Sequence, residues 1–499
     1  MKLISLKYKD PANRLHSYDF DFDNERVEEK QLEPLCFVGL NGSGKSKLLE
    51  IIAKIFFFLD ANRQSKTKTI RVPDANFTFE YLLQPNRKYN TVRIEGVARN
   101  SFEVYADGNL INRQEYFEVM PSNIIGYSSG HNETISPLFS ELLIKDLKKI
   151  RADVADSGEK GNLDLTRTLF LNRDTTKLLL LASFIFSGYK GRDGIPTITT
   201  SKALLSKFKE FINLKALASF RIIIDTDGGR IVLSNRMETV INKLRRCAVI
   251  ESVTETSKER RFELDFYMCG KVIEAFVLEF ETAEDLFEDL YELYSLNLIS
   301  STKSKTHIAF DIPEDKLNII VNKPLAETTY QNLSDGEHQF IQIFAALVLF
   351  SKEDSIFLLD EPESHFNPAW RAKFILLLND ILSSKQRSSE FLISTHSPYL
   401  VSACRSQNVT IFERDGDSIT SRSPRKETFG ATFEDLLRDL FEIVSSVSEH
   451  SKKSIEKILD SKDIERMKEA LVLFGESPYK RDIYEAILRS GTELKLKDE

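Results

Sequence analysis

The residues best suited to chemistry lie in Phe37–Glu50, FVGLNGSGKSKLLE. Gly39, Gly44, Lys45 and Ser46 fit the spacing G-x-x-x-x-G-K-[ST] in full. Glycines let consecutive backbone N–H groups turn inward around an anion, and a helix starting at the lysine adds the partial positive charge of its N-terminus. The chemistry is phosphate binding. Gly39, Asn41, Gly42, Ser43, Gly44, Lys45, Ser46 and Lys47 form the candidate cradle for a triphosphate. Within it Lys45 is expected to reach the β- and γ-phosphates, and the Ser46 hydroxyl to ligate Mg²⁺. A glycine-rich turn that happens to precede Lys-Ser is the bland alternative. The flanks argue against it: Leu35–Val38 reads as a buried strand, and Lys45–Leu59 carries apolar residues at helical spacing.

Phosphate binding alone does not separate a kinase, a GTPase and an ATPase, so three further strings decide. In SIFLLDEPESHFNP, four apolar residues place Asp360 at a strand end, where it can hold the hydration shell of Mg²⁺. Glu361 beside it can take a proton from an attacking water, which implies hydrolysis; without the upstream loop, an acidic turn would be the better reading. In NLSDGEHQF, Ser334 and Glu337 make an S-x-x-E capping box ahead of an apolar helix. Ser334 and the Gly336 backbone also offer donors at a helix N-terminus, a second anion site that takes in Asp335 and Glu337. In LISTHSPYL, His396 follows a strand, where a neutral imidazole could meet a γ-phosphate or the attacking water.

The totals restrict what surrounds these strings. With 499 residues, 41% hydrophobic and 29% charged, the chain has length for two to four folded domains and no disordered composition. Its apolar runs fall short of the roughly 20 residues that cross a bilayer, and MKLISLKYKD lacks a signal-peptide core. A cytoplasmic protein without a membrane segment is expected. Cys36, Cys247, Cys269 and Cys404 show no paired spacing, so reduced core thiols are expected instead of a zinc site or a disulfide framework. A net charge of -8 leaves nucleic acid binding to local basic faces.

Along the chain, KLISLKY, YDFDFD, FTFEYLL, TVRIEGV and FEVYA alternate with period two, predicting antiparallel strands around the phosphate loop. Ser136-Pro137 opens a helix with Phe139, Leu142, Leu143, Leu147 and Ile150 on one stripe. Further helices are expected near Thr175–Phe186, Ser201–Ile212 and Thr282–Tyr294, with a hairpin turning at Asp227-Gly228. Strands at Ile356–Asp360 and Phe391–Ser394, a hairpin in IFERDGDSIT and a helical tail complete the reading. There are no sustained heptads and no internal repeats.

The order GLNGSGKS, LSDGE, IFLLDEPE, STHSP resembles the nucleotide-binding heads of the ABC superfamily, in the soluble branch of Rad50, SMC and RecF-like proteins. DEPESHFNP with STHSPYL is similar in particular to the ATPases of OLD and PtuA (Septu) type from bacterial anti-phage systems. The resemblance covers the first 60 residues and about Glu327–Thr410 well, and the rest loosely. It implies two heads meeting head to tail around two ATP molecules, with Ser334 and Gly336 of one copy on the γ-phosphate held by Lys45 of the other. Ser364–Asn367 would be the loop crossing that interface, and His396 the switch histidine. Asp335 and Glu337 stand where transporter subunits carry glycine and glutamine, which favours the soluble branch. The glutamine of the lobe-joining loop has no clear counterpart; Asn132 in YSSGHNE is a substitute. The resemblance also implies ATP and Mg²⁺ as cofactors and a separate nuclease subunit, HNH-type, as partner.

The chain itself shows no convincing nuclease. Asp415 and Asp417 in RDGDS read better as a hairpin turn than as a metal pair, and SGHNE lacks a second histidine at metal spacing. The basic clusters Lys145–Arg151, Lys243–Arg246 and RSPRKE read better as solvated faces than as DNA sites, though DNA contact stays open. The expected fold is an α/β P-loop ATPase head of ABC type: a mixed sheet with helices and an antiparallel β subdomain. The expected division is 1–135 and 321–415 for the two parts of the head, 136–320 for an inserted α+β region and 416–499 for a helical C-terminal extension. Three functions fit: an ATPase regulating a partner nuclease in defence, a DNA-clamping ATPase of repair or chromosome structuring, and a nucleotide-sensing scaffold with little turnover.

Overall fold

The computed structural model describes residues 1–11, 17–22, 34–63, 72–129, 135–140, 167–187, 209–226, 231, 233–255, 260–300, 308–350, 352–382, 389–415, 418–440 and 447–497. They form two compact units, Met1–Gly430 and Ala431–Glu499.

The first unit is built on a seven-stranded sheet in the order Ser418–Arg422, Val409–Asp415, Leu35–Gly39, Glu390–Ser394, Ile356–Asp360, Ile124–Ser128, Thr168–Phe170. Every neighbouring pair is parallel except the hairpin Val409–Asp415 with Ser418–Arg422. The three central strands are buried at every position, as their unbroken apolar runs require of strands covered on both faces. Parallel pairing sends their C-terminal ends to one edge. The register aligns Ser128, Asp360, Ser394 and Phe37 in a single row across four strands. The chemistry of three distant segments is brought together by that row.

Helix Lys45–Arg63 is apolar nearly all round because it is covered on two sides. Leu48, Leu49, Ile52 and Phe56 share one core with Ile356, Leu358 and Leu392 of the central sheet, and with a second, antiparallel sheet. That sheet runs Ser17–Asp21, Lys2–Lys9, Asn76–Leu82, Thr91–Val97, Ser101–Ala106, Asn109–Leu110. Phe56 stands edge-on to Phe79 and Tyr81 at centroid separations of 5.4 and 5.6 Å. Truncating this ring to alanine costs about 3–5 kcal/mol of stability, and the loss falls on the helix that begins at the phosphate loop.

The third sheet holds Ile250–Glu255, Arg260–Tyr267, Leu214–Asp225, Asn318–Val321 and Ala326–Thr329, with Phe310–Asp311 pairing Leu214–Asp225. Here the hairpin expected around Asp227-Gly228 is corrected. Residues 227–230 lie outside the described residues, and Leu214–Asp225 pairs with Arg260–Tyr267 and Asn318–Val321. Burying Ile222 and Ile224 needs a long apolar partner, which Phe262 and Leu264 supply. Helix Arg173–Ile185 packs on both Ala283–Ser300 and Asp335–Phe350, so part of the expected insertion lies directly against the Ser334-led helix.

The expected helix after Ser136 is described only through residue 140, where Phe139 meets Phe57 edge-on at 4.8 Å; Leu142, Leu143, Leu147 and Ile150 lie outside the described residues. Residues 201–208 of the expected helix Ser201–Ile212 do as well. All four thiols are free, yet Cys36 and Cys404 are buried in contact, Sγ to Sγ 3.1 Å, a proximity that a sequence separation of 368 hid.

The second unit holds helices Phe433–Leu440, Glu449–Ser461, Ile464–Leu473 and Pro478–Lys497, with a small core of Ile455, Met467, Ala470 and Ile483. Its boundary falls later than residue 416, because Ser418–Arg422 completes the central sheet. Among the described residues no helix is long and apolar enough to cross a membrane.

Candidate phosphate-binding site

The loop between Leu35–Gly39 and Lys45–Arg63 depends on glycine at two positions. Gly39 has φ 147°, and a Cβ there would lie 2.3 Å from the Phe412 carbonyl oxygen. Gly44 has φ 98°, and a Cβ there would lie 2.6 Å from Ile419 and 2.9 Å from the Tyr18 hydroxyl. Left-handed backbone and close neighbours both exclude a side chain. The Tyr18 hydroxyl donates to the Gly44 carbonyl at 3.2 Å, so a strand of the antiparallel sheet braces the loop from outside. Asn41 and Gly42 are exposed, and Ser43 is buried with a hydroxyl that finds no partner among the described residues. Lys47 is committed to its own helix, donating to both oxygens of Glu50 at 2.9 and 2.8 Å.

Opposite the loop, the register row gathers hydroxyls on one carboxylate. Asp360 accepts from Ser46 at 2.9 Å, from Ser128 at 3.1 Å and from Ser394. Ser46 and Asp360 are hard oxygen donors side by side, and Ser43 offers an unpartnered hydroxyl nearby in the chain; this set fits Mg²⁺ carried by a phosphate.

Glu361 follows the strand with φ 50°, a left-handed conformation that costs a glutamate about 1 kcal/mol or more. Its amide donates to the Ser394 carbonyl at 3.0 Å, which fixes the turn. Its carboxylate accepts from the His396 amide at 3.4 Å and stands 3.3 Å from His396 Nε2. Burial pushes this carboxyl up to about 7, against the pull of the nearby Lys45 ammonium.

Lys45 folds over the loop, donating to the carbonyls of Gly39 at 3.0 Å and Leu40 at 3.2 Å, with His396 Nε2 at 3.0 Å. Burial lowers its pKa while Glu361 and Asp360 raise it. An ammonium only donates, so His396 Nε2 accepts and the ring is neutral. Burial, then Lys45, push His396 down to about 4, in agreement. The Glu361–His396 approach is therefore a contact of a neutral ring with a carboxyl that keeps its proton to about pH 7, and not an ion pair.

The capping box is formed as expected. Ser334 N and Oγ each donate to Glu337 at 2.8 Å, and Glu337 N donates back to Ser334 Oγ at 3.3 Å. Ser334 and Asp335 are exposed at the tip of helix Asp335–Phe350. Gly336 has a packing reason the sequence did not show: a Cβ there would lie 2.8 Å from the His365 carbonyl oxygen. Asn367 caps helix Pro368–Leu382, its side chain accepting from the Trp370 amide at 3.0 Å.

One cluster thus holds Lys45, Ser46, Asp360, Glu361 and His396, while the described hydrogen bonds of Ser334 and Glu337 are local to their own helix tip. Sequence reasoning missed Ser128, Ser394, Thr395, Glu363 and Gln339. Glu363 is buried, accepts from Thr395, and is pushed up to about 8 by burial and the Glu361 charge. None of these has a diagnostic spacing; the DEPE string was the nearest signal for Glu363. Asn132, Lys145–Arg151 and Asp417 lie outside the described residues, as does the side chain of Asp415. The cluster Lys243–Arg246 is neutralised locally: Lys243 bonds Asp289 at 3.0 Å, Arg246 bonds Glu279 at 2.6 Å, and Arg245 bonds Glu251.

Residues 254–402 match the family described as AAA domain, putative AbiEii toxin, Type IV TA system. The Septu protein PtuA of Bacillus thuringiensis is 26% identical over 179 residues, 32% of this chain and 44% of that protein. Protein ea59 of Escherichia phage lambda is 30% identical over 120 residues, 24% of this chain and 22% of that one. The chain spans less than half the length of these curated relatives. Among solved structures, an Smc head bound to the C-winged helix domain of ScpA aligns at TM-score 0.36 and 13% identity, covering 85% of this chain and 97% of that one. The SMC head domain from Thermotoga maritima aligns at TM-score 0.31 and 12% identity, covering 85% of this chain and 99% of that one. The chain resembles PtuA and AAA-type proteins in sequence, in agreement with the order of its motifs.

Proposed function

We propose that this chain is an ABC-type ATPase that hydrolyses ATP with Mg²⁺ between two copies arranged head to tail. The single observation that carries the reading is the 2.9 Å contact of Ser46 with Asp360, with Glu361, Lys45 and His396 around it. The glycine loop and the helix N-terminus bind the triphosphate, and Lys45 exchanges its carbonyl partners for phosphate oxygens. Ser46 and Asp360 would hold the Mg²⁺, which would supply positive charge against the charge developing on the phosphoryl oxygens. Glu361, with a pKa matched to neutral pH, takes the proton of the attacking water, and the neutral His396 ring orients the γ-phosphate or that water. Ser334, Asp335, Gly336 and Glu337 of the second copy close the site, and Ser364–Asn367 crosses the interface.

In this reading the cycle regulates a separate nuclease subunit, HNH-type, in cytoplasmic anti-phage defence, as the likeness to PtuA supports. The division of the chain into an interrupted head, an α+β insertion and a helical extension belongs to the same proposal. Local pairing of Lys243–Arg246 with carboxylates weighs against a DNA clamp at that cluster. ATP turnover by the purified chain with Mg²⁺, compared with Glu361→Gln, tests the reading. Turnover lost with binding kept supports it, and equal turnover contradicts it.

A further inference from the structure

Gln339 lies one turn into the Ser334-led helix and is buried, 2% exposed. A buried amide must satisfy its own donors and acceptor, and this one does so entirely with other segments. Its Nε2 lies 2.7 Å from the Tyr127 hydroxyl, 3.2 Å from Ser364 Oγ and 3.3 Å from the Glu361 carbonyl oxygen. Its Oε1 accepts from the His365 amide at 3.0 Å. The amide orientation is fixed by its partners, since the His365 N–H can only donate and the Glu361 carbonyl can only accept. Four contacts therefore tie one side chain to the end of strand Ile124–Ser128, to the backbone of Glu361 and to the loop Ser364–His365.

Glu361 sits in a left-handed turn whose carbonyl also accepts from the Ser364 amide at 3.3 Å. Gly336, one turn earlier on the same helix, packs on the His365 carbonyl, so helix and loop meet twice. A small displacement of the helix tip is passed through Gln339 to the peptide that carries the Glu361 carboxylate. The reverse holds too, because coupling between two sites is reciprocal.

We infer that Gln339 is a positioning residue that couples the Ser334–Gly336 helix tip to the Glu361 turn and the Ser364–His365 loop. The inference rests on the ATPase reading for its consequence in turnover, and on the hydrogen bonds alone for its consequence in local stability. In a dimer whose sites each take a helix tip from one copy and a carboxylate from the other, Gln339 connects the two sites within a copy.

The test uses the full chain with Gln339→Met, which keeps length and apolar bulk and removes the amide, and with Ser364→Ala as a partner variant. In the ATP-free protein, hydrogen exchange at the His365 amide should speed up about tenfold, as loss of one hydrogen bond implies. Turnover should fall about tenfold to a hundredfold with ATP affinity within about twofold of the wild type, a loss of alignment and not of binding. The double variant should lose less than the two single losses multiplied, because both act through one contact. Unchanged exchange at His365 overturns the coupling whether or not the chain hydrolyses ATP. Faster exchange with unchanged turnover, in a wild type that does hydrolyse ATP, overturns the positioning role. Absence of wild-type turnover with normal Lys45-dependent ATP binding refutes hydrolysis itself and leaves the exchange result to judge the coupling.

Discussion

Lys45 Nζ and His396 Nε2 stand 3.0 Å apart although 351 positions separate them in the chain. The pair joins the start of the loop helix to the end of strand Glu390–Ser394, and it sets protonation as well as geometry. A charged lysine at that distance makes Nε2 an acceptor, which only the neutral ring can provide, and leaves the ring proton on Nδ1.

Replacing Lys45 with alanine should weaken ATP binding about tenfold to a hundredfold, the worth of a charge-assisted hydrogen bond to phosphate. Titration with a fluorescent ATP analogue measures it. Affinity within twofold of the wild type would mean that the triphosphate is held elsewhere.

Asp360→Asn should raise the Mg²⁺ concentration needed for half-maximal turnover, because Ser46, Ser128 and Ser394 all direct hydroxyls at that carboxylate. The amide keeps the shape and loses the charge that favours a divalent ion. A Mg²⁺ titration indistinguishable from the wild type would remove Asp360 from the metal site.

Turnover should rise with pH through about 7, as the Glu361 carboxyl loses its proton and becomes competent as a base. Stability should move the opposite way above about pH 6.5. A carboxyl with a raised folded pKa binds more protons folded than unfolded, so its contribution is present at low pH and is lost as pH rises through the folded value. Glu361 at about 7 and Glu363 at about 8 both act in this direction. His396, lowered to about 4, acts oppositely, but only between about 4 and its ordinary value of 6.5. Melting temperature should therefore fall from pH 6.5 to 8, and Glu363→Gln should flatten the fall. A rising melting temperature over that interval would show that these carboxyls are not held protonated.

Gly39→Ala should destabilise the protein by about 2 kcal/mol or more, since the new Cβ meets a backbone carbonyl oxygen that cannot move aside and the backbone is left-handed. Denaturant unfolding measures the change, and a loss under about 0.5 kcal/mol would refute the described loop conformation.

How much of this was legible in the sequence follows from how far apart the cooperating residues lie. The phosphate loop, the Asp360–Glu361 pair and the Ser334–Glu337 box are each written in one short string, because one turn or one strand end positions all of their members. The neighbours that complete the cluster come from parallel pairing: Ser128 and Ser394 join Asp360 only through register, and Tyr18 reaches Gly44 from a different sheet. Gln339 looked like an ordinary helix residue, since its partners lie on three other segments. The misjudged hairpin at Asp227-Gly228 has the same origin, a strong local turn signal beside a strand whose partners are distant.

The central claim is that Glu361 takes the proton during ATP hydrolysis at a site closed by a second copy. Its most direct test is Glu361→Gln, with ATP binding, turnover and mass in solution measured together. The account predicts binding near the wild-type level, turnover reduced at least about a hundredfold, and an ATP-dependent dimer that persists. Wild-type turnover in this variant would contradict it.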